Sequence, residues 1–173
     1  MKTALTFTSP KIRGEISIRT EMRPGDLGMI TWMHGKYYAE ENGYSIDFER
    51  YVAEGLAEFY REYDPLSNRL WICEHDGEMI GSICLMKRGS DAQLRYFFIR
   101  KPFRGTGLGT CLMQLWFEFY RSCGFSAAYL WTVKGLPEAT ALYTRFGFTP
   151  ADEKPSTAFG PVLTEQKFVL KRS

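Results

Sequence analysis

The residues best suited to chemistry lie in one short segment rich in glycine. It reads Arg104-Gly105-Thr106-Gly107-Leu108-Gly109 and joins an apolar run to a long amphipathic pattern. A strand, a glycine turn and a helix in this order place free backbone N–H groups at the positive end of a helix dipole, where they attract phosphate. Arg104 adds a fixed positive charge, and Thr110 falls in the first helical turn. The segment predicts a phosphate-binding turn, although turns of this composition also occur for structural reasons alone.

Three known kinds of phosphate-binding segment can be compared with these letters. A dinucleotide fingerprint starting at Gly105 requires glycine where the sequence has Thr110, and it requires an acidic residue about 20 positions later, which is absent. A P-loop requires a lysine that Leu108-Gly109-Thr110 does not contain. A kinase glycine loop requires a much longer chain with a His-Arg-Asp loop. The turn therefore matches none of these three classes.

The elements that must position the turn are visible as periodic patterns on either side of it. Residues 93–99 are rich in large apolar and aromatic side chains, which predicts a strand buried on both faces. Residues 108–123 carry apolar side chains at alternating spacings of three and one, which predicts a helix. Residues 127–133 predict another buried strand, and Pro137 begins a short helix that carries Tyr143 on its apolar face.

The chain before residue 93 contains a strand, two helices and a hairpin. Residues 15–19 alternate in polarity like a half-buried strand, and two helical patterns follow it. The first of these helices ends at Asn42-Gly43. Residues 70–74 and 79–86 are joined by Asp76-Gly77, which is typical of a hairpin.

The two ends of the chain have weaker patterns. Residues 150–161 predict a loop, and residues 166–170 predict a last strand. The sequence has no internal repeat and no linker long enough to divide it. We therefore expect a flexible N-terminal segment over 1–14 and a single domain over 15–173.

The glycine turn is joined by a second motif, Leu142-Tyr143-Thr144-Arg145-Phe146-Gly147-Phe148, at the end of the short helix. Together with the order of elements, these motifs resemble the GNAT superfamily of N-acetyltransferases. The stretches over 34–41 and 130–132 further resemble acetyltransferase domains often fused to MarR-type regulators. The resemblance implies an α/β (α+β) fold whose mixed, mostly antiparallel sheet of about six or seven strands is flanked by about four helices.

The resemblance also implies roles for individual residues with acetyl-CoA as co-substrate. The diphosphate of coenzyme A is expected on residues 104–109 with Thr110, and its pantetheine arm is expected to pair with the backbone at Phe98 and Ile99. Tyr143 matches the tyrosine that protonates the departing thiolate, for which a phenol is a suitable weak acid. The family often has an asparagine near this tyrosine; the sequence has none there, and Glu138 is the nearest polar substitute.

The proton acceptor and the acceptor amine are less clear from the sequence. A water chain or Glu41 is the expected base, while an exposed carboxylate on a helix is the more common explanation for a residue such as Glu41. His34 is expected to be a packing residue. An acceptor pocket is expected at aromatic residues, which suit a small amine or amino acid and leave a protein amine open: Tyr37, Tyr38, Tyr44 and Trp131. A catalytically silent acyl-CoA sensor is the alternative function.

Composition restricts the remaining classes of partner. Lys plus Arg number 22 and Asp plus Glu number 20, and this balance argues against nucleic acid or a charged membrane surface as partner. No apolar run approaches a signal peptide or membrane span, so the cytoplasm is expected. Four scattered cysteines without clustered histidines favour reduced thiols and no metal site. Formation of a homodimer stays open.

Overall fold

The computed structural model describes residues 4–171. The first half contains β1 (Leu5–Phe7), β2 (Ile16–Arg19), α1 (Asp26–Asn42), α2 (Ile46–Arg61), β3 (Arg69–His75) and β4 (Glu78–Arg88). The second half contains β5 (Asp91–Ile99), a 3₁₀ turn (Lys101–Phe103), α3 (Leu108–Cys123), β6 (Ala127–Val133), α4 (Pro137–Arg145), β7 (Thr149–Ser156) and β8 (Leu163–Lys171). The strands form one sheet in the order β1-β2-β3-β4-β5-β6-β8-β7, with β5 and β6 parallel and the other neighbours antiparallel. The predicted mixed, mostly antiparallel sheet with four helices is confirmed.

Helices cover both faces of the sheet. The apolar stripe of α3 buries Leu112 and Trp116 completely against one face, and the indole N–H of Trp116 donates to the Cys84 carbonyl of β4 at 3.1 Å. Helix α2 buries Val52 and Leu56 against the other face. Each such fully buried side chain contributes about 1.5–3 kcal/mol to stability through removal of apolar surface from water. These two layers hold the central strands in place on either side of the site.

Two strands lie where the sequence predicted none. Strand β1 falls inside the segment expected to be flexible over 1–14 and pairs with β2 over Leu5–Phe7; residues 1–3 lie outside the described part. Strand β7 occupies much of the stretch predicted as a loop over 150–161. Its side chains are mostly exposed and include Pro150 and Pro155, so it lacks the apolar alternation that reveals a strand. Proline is tolerated there because β7 is an edge strand.

Strand β5 is irregular at the point where the site forms. Ser82 pairs with Phe98 while Cys84 pairs with Arg95, so β5 carries one extra residue, a β-bulge. Tyr96 within the bulge has a φ of 50°, and the Ser82 hydroxyl donates to its carbonyl at 2.7 Å. On its other edge β5 pairs with β6 only at Ala92 and Gln93 among the described residues, and beyond this point the two strands separate. The separation opens a gap in the middle of the sheet.

Candidate active site

Two neighbouring cavities open where β5 and β6 separate. The larger, called the coenzyme cleft below, measures about 470 Å³ and lies between α1, the end of β5, the glycine turn and α4. The smaller, called the acceptor cavity, measures about 140 Å³ and lies between α1, α2, β5, β6 and β8. Five residues line both of them: Tyr38, Phe97, Thr132, Leu136 and Tyr143. The two cavities therefore share one boundary, at which groups bound on either side would meet.

The glycine turn has the backbone shape that a phosphate requires. Gly105 and Gly107 have φ values of 69° and 93°, which glycine adopts without a Cβ clash. A Cβ built on Gly105 would meet no atom within 4 Å, so the space beside this backbone is open. Within the described residues, no backbone oxygen accepts from the N–H groups of Gly109 or Thr110 at the start of α3. This end of α3 therefore presents free donors, as an anion site does.

Three cationic side chains surround the turn. The Arg104 guanidinium is anchored by its Nε, which donates to the Ile99 carbonyl at 2.7 Å. Lys11 reaches over from the segment between β1 and β2, and its Nζ donates to the Gly105 carbonyl at 2.8 Å. Arg145 of α4 donates to the Thr110 hydroxyl. The positive charge expected from Arg104 alone is thus shared by residues from three parts of the chain.

Glu41, the expected proton acceptor, lies at the coenzyme cleft rather than at the acceptor cavity. Its two carboxylate oxygens accept hydrogen bonds from the two terminal nitrogens of Arg104 at 2.7 and 3.0 Å. Two parallel hydrogen bonds of this kind fix the carboxylate and the guanidinium in one orientation relative to each other. Glu41 therefore holds the Arg104 side chain in position beside the glycine turn.

The other residues expected to contact the coenzyme line the cleft. Phe98 and Ile99 lie on the part of β5 that has left β6, so this edge of the strand has room for an added extended chain. Glu138 lies exposed in the first turn of α4 on the opposite side of the cleft. Tyr37, expected in the acceptor pocket, instead lines the coenzyme cleft and stacks on Phe98 with ring centroids 5.4 Å apart.

Tyr143 lies at the boundary between the two cavities. It is 7% exposed, and its ring packs among Phe97, Phe148 and Phe168. Burial raises the pKa of the Tyr143 phenol well above its ordinary value, because the low-dielectric surroundings disfavour the phenolate. Tyr143 therefore keeps its proton across the physiological range and can donate a hydrogen bond to a group at the boundary.

Three of the four residues expected in an acceptor pocket, Tyr38, Tyr44 and Trp131, line the acceptor cavity. They come from α1, the connection to α2, and β6, which meet because both helices pack on the sheet beside the gap. Burial raises the pKa of Tyr38 to about 12. The cavity therefore has aromatic walls with neutral hydroxyl groups.

Two charged residues in the acceptor cavity were not identified from the sequence. Arg95 of β5 and Glu165 of β8 both line it, 70 positions apart in the chain. The alternation of β5 could have identified Arg95 as a charge within a buried run, whereas nothing local marks Glu165.

His34 is a buried residue that lines the acceptor cavity. Its Nδ1 lies 2.8 Å from the Ile30 carbonyl and donates to it, which leaves Nε2 unprotonated in the neutral ring. Burial lowers the pKa of His34 to about 4, with a smaller contribution from the nearby charge of Arg95. The ring stacks on Tyr38 at a centroid distance of 5.8 Å. His34 packs as a neutral side chain, which agrees with the packing role expected for it.

No helix within residues 4–171 is long and apolar enough to cross a bilayer. In that range, no group of three or more His, Cys, Asp and Glu side chains is placed to hold a metal ion. All four cysteines are free, and burial raises the pKa of the Cys73 and Cys84 thiols. The cleft and the cavity beside β5 are thus the features that call for a functional explanation.

Solved structures with the same fold are acetyltransferases. The acetyltransferase from Streptococcus agalactiae 2603 superposes with a TM-score of 0.71 at 20% identity, covering 91% of this chain and 98% of that one. The Salmonella typhimurium protein yncA, solved with its cofactor acetyl-CoA, has a TM-score of 0.67 at 18% identity, covering 91% and 94% of the two chains. At these identities the likeness establishes the fold.

Sequence comparison identifies the family. An uncharacterized N-acetyltransferase of Escherichia coli (strain K12), YjgM, is 32% identical over 117 residues, which are 65% of this chain and 70% of that protein. The sequence model of the acetyltransferase (GNAT) family matches residues 32–148, which include the glycine turn and Tyr143. The special likeness to domains fused to MarR-type regulators stays a prediction. The chain belongs to the acetyltransferase (GNAT) family and is an acyltransferase.

Proposed function

We propose that the protein transfers the acetyl group of acetyl-CoA to a primary amine of a small molecule or amino acid by direct attack in a ternary complex. The observation that carries this proposal is the shared boundary of the two cavities, where Tyr143 lies. One cavity has the free amides and cations that suit a diphosphate, and the other has aromatic walls that suit an organic amine. Direct transfer requires both substrates to be present together, with the reacting atoms held in contact.

The residues around the coenzyme cleft fit coenzyme A. Free N–H groups at Gly109 and Thr110, with Arg104 and Lys11 beside them, would hold the diphosphate. The open edge of β5 would align the pantetheine arm toward Tyr143. When bound, acetyl-CoA supplies an activated acetyl group as a thioester. The related protein yncA carries acetyl-CoA as its cofactor, and this supports the same ligand here.

The chemical step needs a proton donor at the sulfur. As the amine nitrogen bonds to the carbonyl carbon and the carbon–sulfur bond breaks, the sulfur leaves as a thiolate and takes up the Tyr143 hydroxyl proton. A thiol has a pKa of about 8.5 and an ordinary tyrosine about 10, and burial makes Tyr143 a weaker acid than that, so it gives up its proton only as negative charge develops on the sulfur. Because burial keeps Tyr143 protonated, the donor is present throughout the physiological range.

The step also needs a proton acceptor for the amine. We assign this role to Glu165, through a water molecule, because its carboxylate lines the acceptor cavity. Glu165 is mostly buried, and its nearest cation, Lys154 Nζ, lies 3.8 Å away. Glu41 is engaged with Arg104 in the other cavity, so we assign it the positioning of that guanidinium. The amine proton thus leaves on one side of the boundary, and the thiolate is protonated on the other.

The proposal is tested by measuring release of free coenzyme A thiol from acetyl-CoA in the presence of a panel of primary amines. The Tyr143→Phe variant should lose about 100-fold or more in kcat, while coenzyme A binding measured by calorimetry is kept. Tyr60→Phe is the matched control, because Tyr60 lies exposed on α2 outside both cavities. If every amine gave only background hydrolysis while coenzyme A bound tightly, the protein would be an acyl-CoA sensor instead.

A further inference from the structure

One wall of the acceptor cavity carries hydrogen-bond donors that lack acceptors. Arg95 lines the cavity, and its Nη2 is buried without a hydrogen-bond partner among residues 4–171. The hydroxyl of the adjacent Tyr96 is also buried, and it too has no partner in that range. A buried donor without an acceptor costs free energy, more so when it is charged. A wall of this kind is suited to a ligand that brings acceptors with it.

The guanidinium of Arg95 is held in a defined position. Its Cζ lies 4.9 Å from the ring centroid of Tyr51 and 4.7 Å from that of Tyr96, so it is placed between two aromatic rings. On a third side it packs against α2 at Gly55, where a built Cβ would lie 2.9 Å from both Nη1 and Nη2. Any larger residue at position 55 would displace the guanidinium. The bulge of β5 and the absence of a side chain at Gly55 thus hold the Arg95 guanidinium in one position.

The charges around Arg95 do not neutralise it. Glu58 of α2 interacts electrostatically with Arg95, but both carboxylate oxygens of Glu58 accept hydrogen bonds from Arg88, at 2.6 and 3.1 Å. The carbonyl oxygen of the Gln93 side chain, also at the cavity, is bonded to Arg88 at 3.0 Å. The acceptors close to Arg95 are therefore occupied, and among the described residues Arg95 forms no ion pair within 4.0 Å.

The acceptor cavity also carries the complementary charge. Glu165 on β8 lines it, together with an aromatic wall that includes Tyr44, Phe48 and Phe159. A cavity lined by a cation, a carboxylate and aromatic rings matches a zwitterion with an apolar side chain. An uncharged amine, or an amine with no acid group, would leave the guanidinium without a partner.

We propose that the acceptor is a free α-amino acid with an apolar side chain, whose carboxylate binds Arg95 and the Tyr96 hydroxyl while its ammonium group faces Glu165. This inference rests on the proposed function and specifies its substrate class. Arg95 is then the residue that determines specificity for the acid group, since a guanidinium pairs with a carboxylate through two parallel hydrogen bonds. A peptide N-terminus has an amide in place of that carboxylate and would be disfavoured.

The first test uses the wild-type protein and matched pairs of acceptors. L-Phenylalanine, L-leucine and L-methionine are each compared with their amides and with the corresponding amines that lack the carboxylate, by release of coenzyme A thiol. We expect kcat/KM to be about 100-fold higher for the preferred acid than for its amide or amine, because a site built for a charged group rejects analogues without it. Equal or faster acetylation of the amides or amines would overturn the inference.

The second test uses variants of Arg95. Arg95→Ala should raise KM for the preferred amino acid by about 30-fold or more while leaving KM for its carboxylate-free amine nearly unchanged, and Arg95→Lys should fall between the two. Arg50→Ala, which removes an exposed arginine of α2 that lines neither cavity, is the matched control. An equal loss toward both acceptors would show that Arg95 serves only the structure of β5.

A binding measurement separates failure of this inference from failure of the proposed function. Calorimetry with the preferred amino acid is performed on wild type and Arg95→Ala saturated with coenzyme A, where no reaction occurs. Loss of amino acid binding with retained coenzyme binding supports the assignment of Arg95. Acetylation of amines without any advantage for acids would refute the inference alone, whereas absence of both coenzyme binding and turnover would refute the acetyltransferase proposal.

Discussion

The coenzyme cleft and the acceptor cavity share a boundary at Tyr143 but are built from different parts of the polypeptide. The cleft depends mainly on backbone: the glycine turn, the free N–H groups of α3 and the open edge of β5. The acceptor cavity depends on side chains from α1, α2, β5, β6 and β8. A backbone site requires a local run of suitable residues, whereas a side-chain site requires only that distant residues meet. Single substitutions can therefore alter the acceptor cavity while the coenzyme cleft stays unchanged.

Acidification should lower the stability of the folded protein through His34, which lines the acceptor cavity. Burial lowers the pKa of His34 to about 4 from an ordinary 6.5, so below pH 6.5 the unfolded chain takes up a proton that the folded chain refuses. The free energy of unfolding should fall by about 3 kcal/mol between pH 7 and pH 4 from this group alone. Urea unfolding of wild type and His34→Gln at both pH values measures it. His75→Gln, outside both cavities, should keep the wild-type dependence, and an unchanged dependence in His34→Gln would contradict the account.

The two carboxylates should differ in their effect on turnover. Glu165→Gln removes the proposed proton acceptor of the acceptor cavity and should lower kcat by about 100-fold. Glu41→Gln weakens the grip on Arg104 without touching the acceptor and should leave kcat within about threefold. Both are measured under saturating substrates, with Glu54→Gln on the exposed surface of α2 as control. The reverse order of effects would make Glu41 the proton acceptor.

The glycine turn can be altered without touching the acceptor cavity. Gly107→Ala imposes a Cβ on a residue with a φ of 93°, and the turn should relax away from the shape that binds phosphate. We expect the Kd for coenzyme A to rise about tenfold, since the left-handed conformation costs alanine about 1–2 kcal/mol. Gly89→Ala is the matched control, because Gly89 has a φ of 62° in the β4–β5 turn. Equal changes in affinity for the two variants would argue against this site.

The smallest effect is expected from Lys11. This exposed side chain only adds positive charge beside the turn, through its bond to the Gly105 carbonyl. Lys11→Ala should raise the Kd for coenzyme A by about threefold at low ionic strength, and the difference should disappear in high salt because exposed charges are screened. Amino acid binding should not change. A salt-independent loss would mean that Lys11 shapes the backbone rather than supplying charge.

The sequence predicts the coenzyme cleft better than the acceptor cavity, because the cleft is built mainly from a local segment and the cavity from distant residues. The turn over 104–109 and the helix that follows it are local patterns, and the structure places them as a continuous unit at the gap in the sheet. Tyr143 belongs to a second local motif, and it lines both cavities. Arg95 and Glu165 escaped notice because their meeting depends on the order of β5, β6 and β8 in the sheet, which no local pattern contains. Strand β7 escaped because an exposed edge strand needs no apolar alternation.

Tyr37 and Glu41 line the coenzyme cleft, which the sequence alone does not indicate. Both lie on the last turns of α1, and the helical pattern predicts which residues share a face but not which cavity that face will meet. The register of α1 on the sheet places Tyr37 on Phe98 and Glu41 on Arg104, both at the coenzyme cleft. Tyr38, the next residue, borders both cavities. Such assignments require the packed structure.

The central claim is that backbone amides of the glycine turn bind a diphosphate beside Tyr143. Calorimetric titration of the wild-type protein with coenzyme A and, separately, with pantetheine, which lacks the diphosphate, tests it most directly. The account predicts one coenzyme A bound per chain with an affinity about 100-fold or more above that of pantetheine. Absence of binding heat with coenzyme A, or equal affinity for the two ligands, would contradict it.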